Sequence, residues 1–159
     1  MAQFFRGEEL IAIAVEYEEA GFSIYTGAAE NTDVPSLRVV FRELAEQENI
    51  HKQIFLRMVD DWPQAFRDRK TVGEEEHGYI RALVDSEFRR SDAANIQKAV
   101  RAPGARDVLW YAIGFEKETL LFFHALANVL GESQQHLLRA ILDEEKTHLR
   151  RLTALWKST

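Results

Sequence analysis

Apolar residues recur along this chain at helical spacing in four long stretches. Over residues 8–30 the apolar positions fall at 11, 14, 15, 22, 25 and 29, and the stripe becomes continuous once Glu18 is counted in it. "NTDVPS" breaks the pattern, and Pro35 stands where a helix begins. A second helix is predicted over 36–59, with its seam at Leu37, Phe41, Leu44, Glu48, His51, Phe55 and Met58. Steps of four and three alternate along that seam, which is the spacing of a helix packed in a bundle. "DDWP" ends it. A third helix, over 104–130, is apolar on most of its circumference and closes at "GES". The fourth, over 133–157, puts Leu138, Ile141, Glu145, His148, Leu152 and Leu155 on one seam.

Roughly forty residues separate the second and third helices, far more than a hairpin needs. They hold one amphipathic segment, "EEEHGYIRALVDSEF", and further helical turns around "DAANIQKAV". A connection of that length lets the third helix run parallel to the second. The fold class predicted is all-α, a four-helix bundle with a long crossover connection between helices 2 and 3. A length of 159 residues suits a single domain, 1–159.

The chain also repeats itself. Ala14, Glu18, Tyr25 and Ala29 recur 98 residues on as Ala112, Glu116, Phe123 and Ala127. Phe41, Leu44, Glu48, His51 and Phe55 recur 97 residues on as Leu138, Ile141, Glu145, His148 and Leu152. Two related hairpins thus each supply one seam Glu and one Glu-x-x-His. An unpaired carboxylate in a core costs several kcal/mol or takes up a proton, so these polar seam positions need a reason. Residues three apart share a helix face, and two hairpins packed together converge four carboxylates and two imidazoles. Such a set matches the carboxylate bundles that hold a pair of iron or manganese ions. Two divalent cations neutralise four carboxylates, and oxygen donors with one imidazole per metal suit iron or manganese.

One Glu-x-x-His alone means little in a chain with 18 Glu and five His, and Glu74/His77 is read as such a chance match, its acids favouring a helix start. Glu16, Glu18 and Glu19 are neighbours, but only Glu18 fits both stripe and repeat. The repeat alone selects Glu116 over Glu118, and whether Glu118 joins stays open. Tyr25 lies two turns from Glu18, placed either to hydrogen-bond a ligand carboxylate or to pack as a core aromatic. His124 is read as a satisfied core histidine, with a place beside the Glu116 face as the alternative. His136 is read as a surface residue.

Composition narrows the function classes. A net charge of −6 and a pI near 5.4 argue against nucleic acid or an anionic membrane as partner. With no cysteine, thiolate metal sites, iron–sulfur clusters and thiol catalysis are excluded. "MAQFFRGEEL" lacks a signal-peptide core, and charges at 116–118 interrupt the longest apolar stretch, so the expected location is cytoplasmic. The broadly apolar third helix is to be covered by the crossover or by a second copy of the chain in a homo-oligomer, a dimer.

"VEYEEAGFSIY", "AEQENIH", "GFEKETLLFF" and "DEEKTHL" together resemble the rubrerythrin branch of the ferritin-like superfamily over almost the whole chain. The resemblance implies a ferritin-like bundle with two iron ions held by Glu18, Glu48, His51, Glu116, Glu145 and His148. Glu48 and Glu145 would bridge. It implies reduction of hydrogen peroxide or oxygen, or oxidation of ferrous iron. Typical members carry a cysteine-ligated rubredoxin-like domain, which this chain lacks, so the expected electron donor is a separate protein. They also carry an extra carboxylate three residues after the third-helix ligand, where this chain has Thr119. The leading expectation is a di-iron oxidoreductase, and the alternative is a ferroxidase that handles iron.

Overall fold

The computed structural model describes residues 5–60, 73–85, 93–102 and 104–159. Among them are six helices: α1 (Gly7–Asn31), α2 (Pro35–Asp60), α3 (Glu74–Val84), α4 (Ala93–Val100), α5 (Ala105–Ala127) and α6 (Glu132–Ser158). Local chemistry sets their ends. Glu9 accepts the Arg6 backbone N–H at 2.7 Å and so satisfies a donor at the start of α1. Pro35 is the first residue of α2, where its missing N–H and fixed φ are no handicap. α5 stops at Ala127, short of the expected 130, because the N–H groups of Asn128 and Val129 bond three residues back, to Ala125 and Leu126, in a tighter turn. The stop signal "DDWP" lies outside the described residues beyond Asp60, as do residues 86–92 of the crossover.

α1 packs along α2 across the short link Thr32–Val34, and α5 packs along α6. The two hairpins meet through α1 with α5 and α2 with α6, while α3 lies on α5 and α4 on both α1 and α5. This is the ferritin-like bundle with its crossover between the second and third long helices. The α2 seam is buried as predicted, from Leu37 to Met58. On α6 the seam is buried except at Leu155, which is partly covered.

α1 departs from the expected stripe. Its buried face centres on Gly7, Ala14, Gly21 and Ala28, flanked by Leu10, Ile11, Tyr17, Glu18, Ile24 and Tyr25. Phe22, counted in the predicted stripe, is 44% exposed. The helix turns its small residues toward its neighbours, which lets them approach closely, and leaves the bulky Phe22 at the rim. On α5, Trp110 and Leu121 stay exposed although the crossover helices cover other parts of that helix. None of the described helices is long and apolar enough to cross a membrane. Rings pack along the core: Tyr17 on Phe122 and Phe55 on Phe123, both at 5.1 Å between centroids, and Tyr25 on Phe41 at 6.3 Å.

Candidate metal centre

Glu18 comes from α1, Glu48 and His51 from α2, Glu116 from α5, and Glu145 and His148 from α6. The bundle brings all six to one place. Each of the four carboxylates is 0% exposed, and the two imidazoles are all but buried. Their potential ligand atoms form two overlapping groups: Glu18, Glu48, His51 and Glu145, and Glu48, Glu116, Glu145 and His148. Within each group the atoms lie within 4.8 Å of one another, and Glu48 and Glu145 belong to both. The repeat is thus visible as a pseudo-symmetric pair of four-donor clusters with two shared carboxylates.

The neighbouring candidates fall elsewhere. Glu16 and Glu19 are exposed, and Glu19 reaches Lys52 at 3.5 Å. Glu118 is half-buried and belongs to neither group. His124 is exposed, which corrects its reading as a core or site histidine. Eight residues at about 100° each carry it roughly 80° round the helix from Glu116, off the buried face. His136 is exposed as expected. Glu74 is exposed, while His77 is buried in a separate cluster, its ring 5.2 Å from Phe5 and its Nε2 3.4 Å from Arg81 Nε.

Tyr25 is fully buried and its hydroxyl donates to Glu116 Oε1, so it both packs in the core and touches a site carboxylate. Thr119 is also buried, but its hydroxyl donates to the Phe115 carbonyl at 3.2 Å, within its own helix.

Two further residues set the histidines, and the sequence reading missed them. His51 Nε2 lies 2.8 Å from Glu144 Oε2, and His148 Nε2 lies 3.0 Å from Gln47 Oε1. Both acceptors sit on the opposite hairpin from the ring they hold. With Nε2–H donated outward, each neutral ring keeps its Nδ1 lone pair for the cluster. Gln47 and Glu144 are themselves repeat partners, 97 residues apart, each just before a seam Glu. The repeat carried that signal, had it been extended by one position.

The inward-facing atoms of the cluster stand out for having no hydrogen-bond partner. Among the described residues, every buried side-chain nitrogen or oxygen without a hydrogen-bond partner belongs to these six residues: both oxygens of Glu18, Glu48 and Glu145, Glu116 Oε2, and Nδ1 of His51 and His148. His51 Nδ1 is 2.8 Å from Glu145 Oε1 and His148 Nδ1 is 2.9 Å from Glu145 Oε2, close enough for charge attraction but not aligned as hydrogen bonds. Buried orphan donors and acceptors are rare in native proteins. Carboxylate oxygens and imidazole lone pairs facing one another are the donor set of two divalent cations, and the residues fit that use.

The electrostatics follow from the same crowding. Burial, then the charge of Glu145, pushes Glu18 well above the usual carboxylate range, and Glu48 and Glu116 rise for the same two reasons. Burial also pushes Glu145 up, but His148 and His51 on either side overcome it and hold that carboxyl at about 2. Burial opposes charge on the two imidazoles, yet Glu145 beside both raises each to about 9. Without cations, therefore, two imidazoliums clamp one ionised carboxylate.

Gly21 is required by this site for room, not for its backbone freedom. A Cβ there would lie 2.3 Å from Glu48 Oε2. Gly21→Ala should displace Glu48 from both clusters and lower metal affinity about tenfold or more. Gly27→Ala is the control: its Cβ would press on Val100 at 2.9 Å, away from the cluster, and should lower the melting temperature while leaving metal content intact. Equal metal loss in both variants, read by metal analysis, would reduce the Gly21 effect to general overpacking.

Comparison with known proteins adds three findings. A family model described as Rubrerythrin matches residues 9–156. A solved structure from Thermotoga maritima, described as a candidate ferritin-like diiron-carboxylate protein, is similar at 25% identity and a TM-score of 0.78, over 100% of each chain. No curated protein matches.

Proposed function

The chain belongs to the rubrerythrin family, and from that premise we propose an oxidoreductase that reduces hydrogen peroxide or oxygen at a pair of iron ions. The observation that carries this reading is the overlap of two four-donor clusters, lined by the orphaned buried atoms and sharing Glu48 and Glu145. In this reading Glu18 and His51 would hold one ion and Glu116 and His148 the other, with Glu48 and Glu145, common to both donor groups, available to each. The description of the Thermotoga protein as a diiron-carboxylate protein favours iron over manganese. A ferrous pair supplies the two electrons that, with two protons, convert peroxide to two waters.

The protein's own groups do the rest. Glu144 and Gln47 fix the ring orientations, so Nδ1 of each histidine is aimed before a cation arrives. Phe41, Phe55, Phe122 and Phe123 belong to the same buried core, with Phe41 packed on the Tyr25 ring that reaches Glu116, and a dry core strengthens the electrostatic contacts inside it. The Tyr25 hydroxyl holds a proton against Glu116 Oε1. A separate electron-donor protein restores the ferrous state, in the cytoplasm.

The test is metal analysis of protein from its native host, followed by peroxide consumption with a supplied reductant. His51→Ala and His148→Ala should each lower metal content and abolish most peroxide consumption, whereas His77→Ala should change neither. Loss of metal in His77→Ala with full retention in His148→Ala would overturn the assignment. Oxygen-driven uptake and retention of many irons per chain, with little peroxide consumed, would identify a ferroxidase instead.

A further inference from the structure

The repeat relates the two cation positions, but the groups behind them differ, and both differences run in one direction. On the Glu18 side, His51 Nε2–H donates to a carboxylate, Glu144 Oε2 at 2.8 Å, and neither Glu18 oxygen accepts a hydrogen bond. On the Glu116 side, His148 Nε2–H donates to a neutral amide oxygen, Gln47 Oε1 at 3.0 Å, and Glu116 Oε1 accepts the Tyr25 hydroxyl. The repeat partner of Tyr25 is Phe123, which has no hydroxyl to offer Glu18. A carboxylate that accepts the ring proton leaves more electron density on Nδ1 than an amide does. A phenol donating to a ligand carboxylate draws density away from the metal. At one position, therefore, both the imidazole and the single carboxylate are better donors than their repeat partners at the other.

We infer that the two positions are inequivalent, and that Glu18, Glu48, His51 and Glu145 form the tighter one, with Glu144 the positioning residue that sets the difference through His51. This rests on the two-cation reading above and goes beyond it by ranking the positions. Glu144 is 54% exposed, so water screens its charge across open space. Its influence passes through the hydrogen bond to His51, and a neutral isostere removes that influence while keeping the shape.

The test titrates metal-free protein with Mn²⁺ alone, by calorimetry and by electron paramagnetic resonance. The wild type should bind in two steps whose Kd values differ about tenfold or more, and at one equivalent should show mainly uncoupled Mn²⁺. Glu144→Gln should weaken the tighter step about tenfold and leave the weaker one in place, so that the steps merge and coupled pairs appear before one equivalent. Gln47→Glu should tighten the weaker step, a gain that a merely structural role cannot produce. Tyr25→Phe should move the weaker step in the same direction. Two equal wild-type steps, equal weakening of both steps in Glu144→Gln, or no gain in Gln47→Glu would each overturn the ranking while leaving a two-cation site. A wild type that binds no Mn²⁺ and no Fe²⁺ would remove the two-cation reading itself, and the ranking with it.

Discussion

Excess Mn²⁺, or Fe²⁺ without oxygen, should raise the melting temperature of the metal-free protein by roughly 15–30 °C. A ligand that binds only the folded state contributes about 4 kcal/mol at a thousand times its Kd, and two positions contribute about 8. At roughly 2–4 °C per kcal/mol for a chain of this size, the shift is large. The donors exist as a set only in the fold, since they come from four helices. A shift of only a few degrees at saturating cation would mean that the cluster is a buried proton-sharing network and not a metal site.

The metal-free protein should show its own pH signature. Groups whose folded pKa is raised contribute stability that is complete below the unfolded value and is lost as pH rises through the folded value. His51 and His148, raised from 6.5 to about 9, contribute fully below pH 6.5 and lose that contribution on the way to pH 9. Glu18, Glu48 and Glu116 are also raised, so theirs declines with rising pH from 4.5 upward. Glu145 works oppositely, but its stability is lost only as pH falls from 4.5 toward 2. Between pH 6.5 and 9 the melting temperature in chelator should therefore fall steadily. A rise across that window would contradict the buried, proton-bearing cluster.

Glu18→Gln should weaken one cation position roughly 100-fold while leaving the fold intact. The amide is nearly isosteric and neutral, and Glu18 in the metal-free cluster is already pushed toward its neutral form. The metal-free melting temperature should thus hold or rise slightly, whereas the increment on adding metal should shrink. Peroxide consumption should fall steeply, because two-electron reduction draws on both positions. Glu16→Gln and Glu19→Gln alter the same chemistry on the exposed face and should do neither. Equal effects at all three positions, in metal analysis and stopped-flow oxidation, would mean that bulk charge alone acts at this end of α1.

Much of this was legible because burial and periodicity agree along α2 and α6. Glu48, His51, Glu145 and His148 stand out there as polar residues in otherwise apolar seams, and the repeat then singled out Glu18 and Glu116. α1 was harder to read because its buried centre is made of small residues. Gly21 and Ala28 carry little hydrophobic signal, so the large Phe22 drew the predicted stripe toward the rim. Gly21 was missed for a related reason: what it accommodates is a carboxylate from another helix. Glu144 and Gln47 read as ordinary surface polar residues until the helix facing them is known. The position of His124 turned on its angle round α5, which an almost uniformly apolar sequence does not define.

Sharing Glu48 and Glu145 has a consequence for how the molecule comes apart. Each cation position draws on both hairpins, so no separated half keeps a complete set of donors. Without metal, α1–α2 could part from α5–α6 as one partial opening among several, at a free energy below that of full unfolding. With both cations in place that route requires releasing them first. The amides of α2 and α6 nearest the shared carboxylates should then exchange with solvent only through global unfolding. The bound ions would make two hairpins, each a copy of the other in pattern, into a single cooperative unit, and hydrogen exchange measured with and without metal would register the difference.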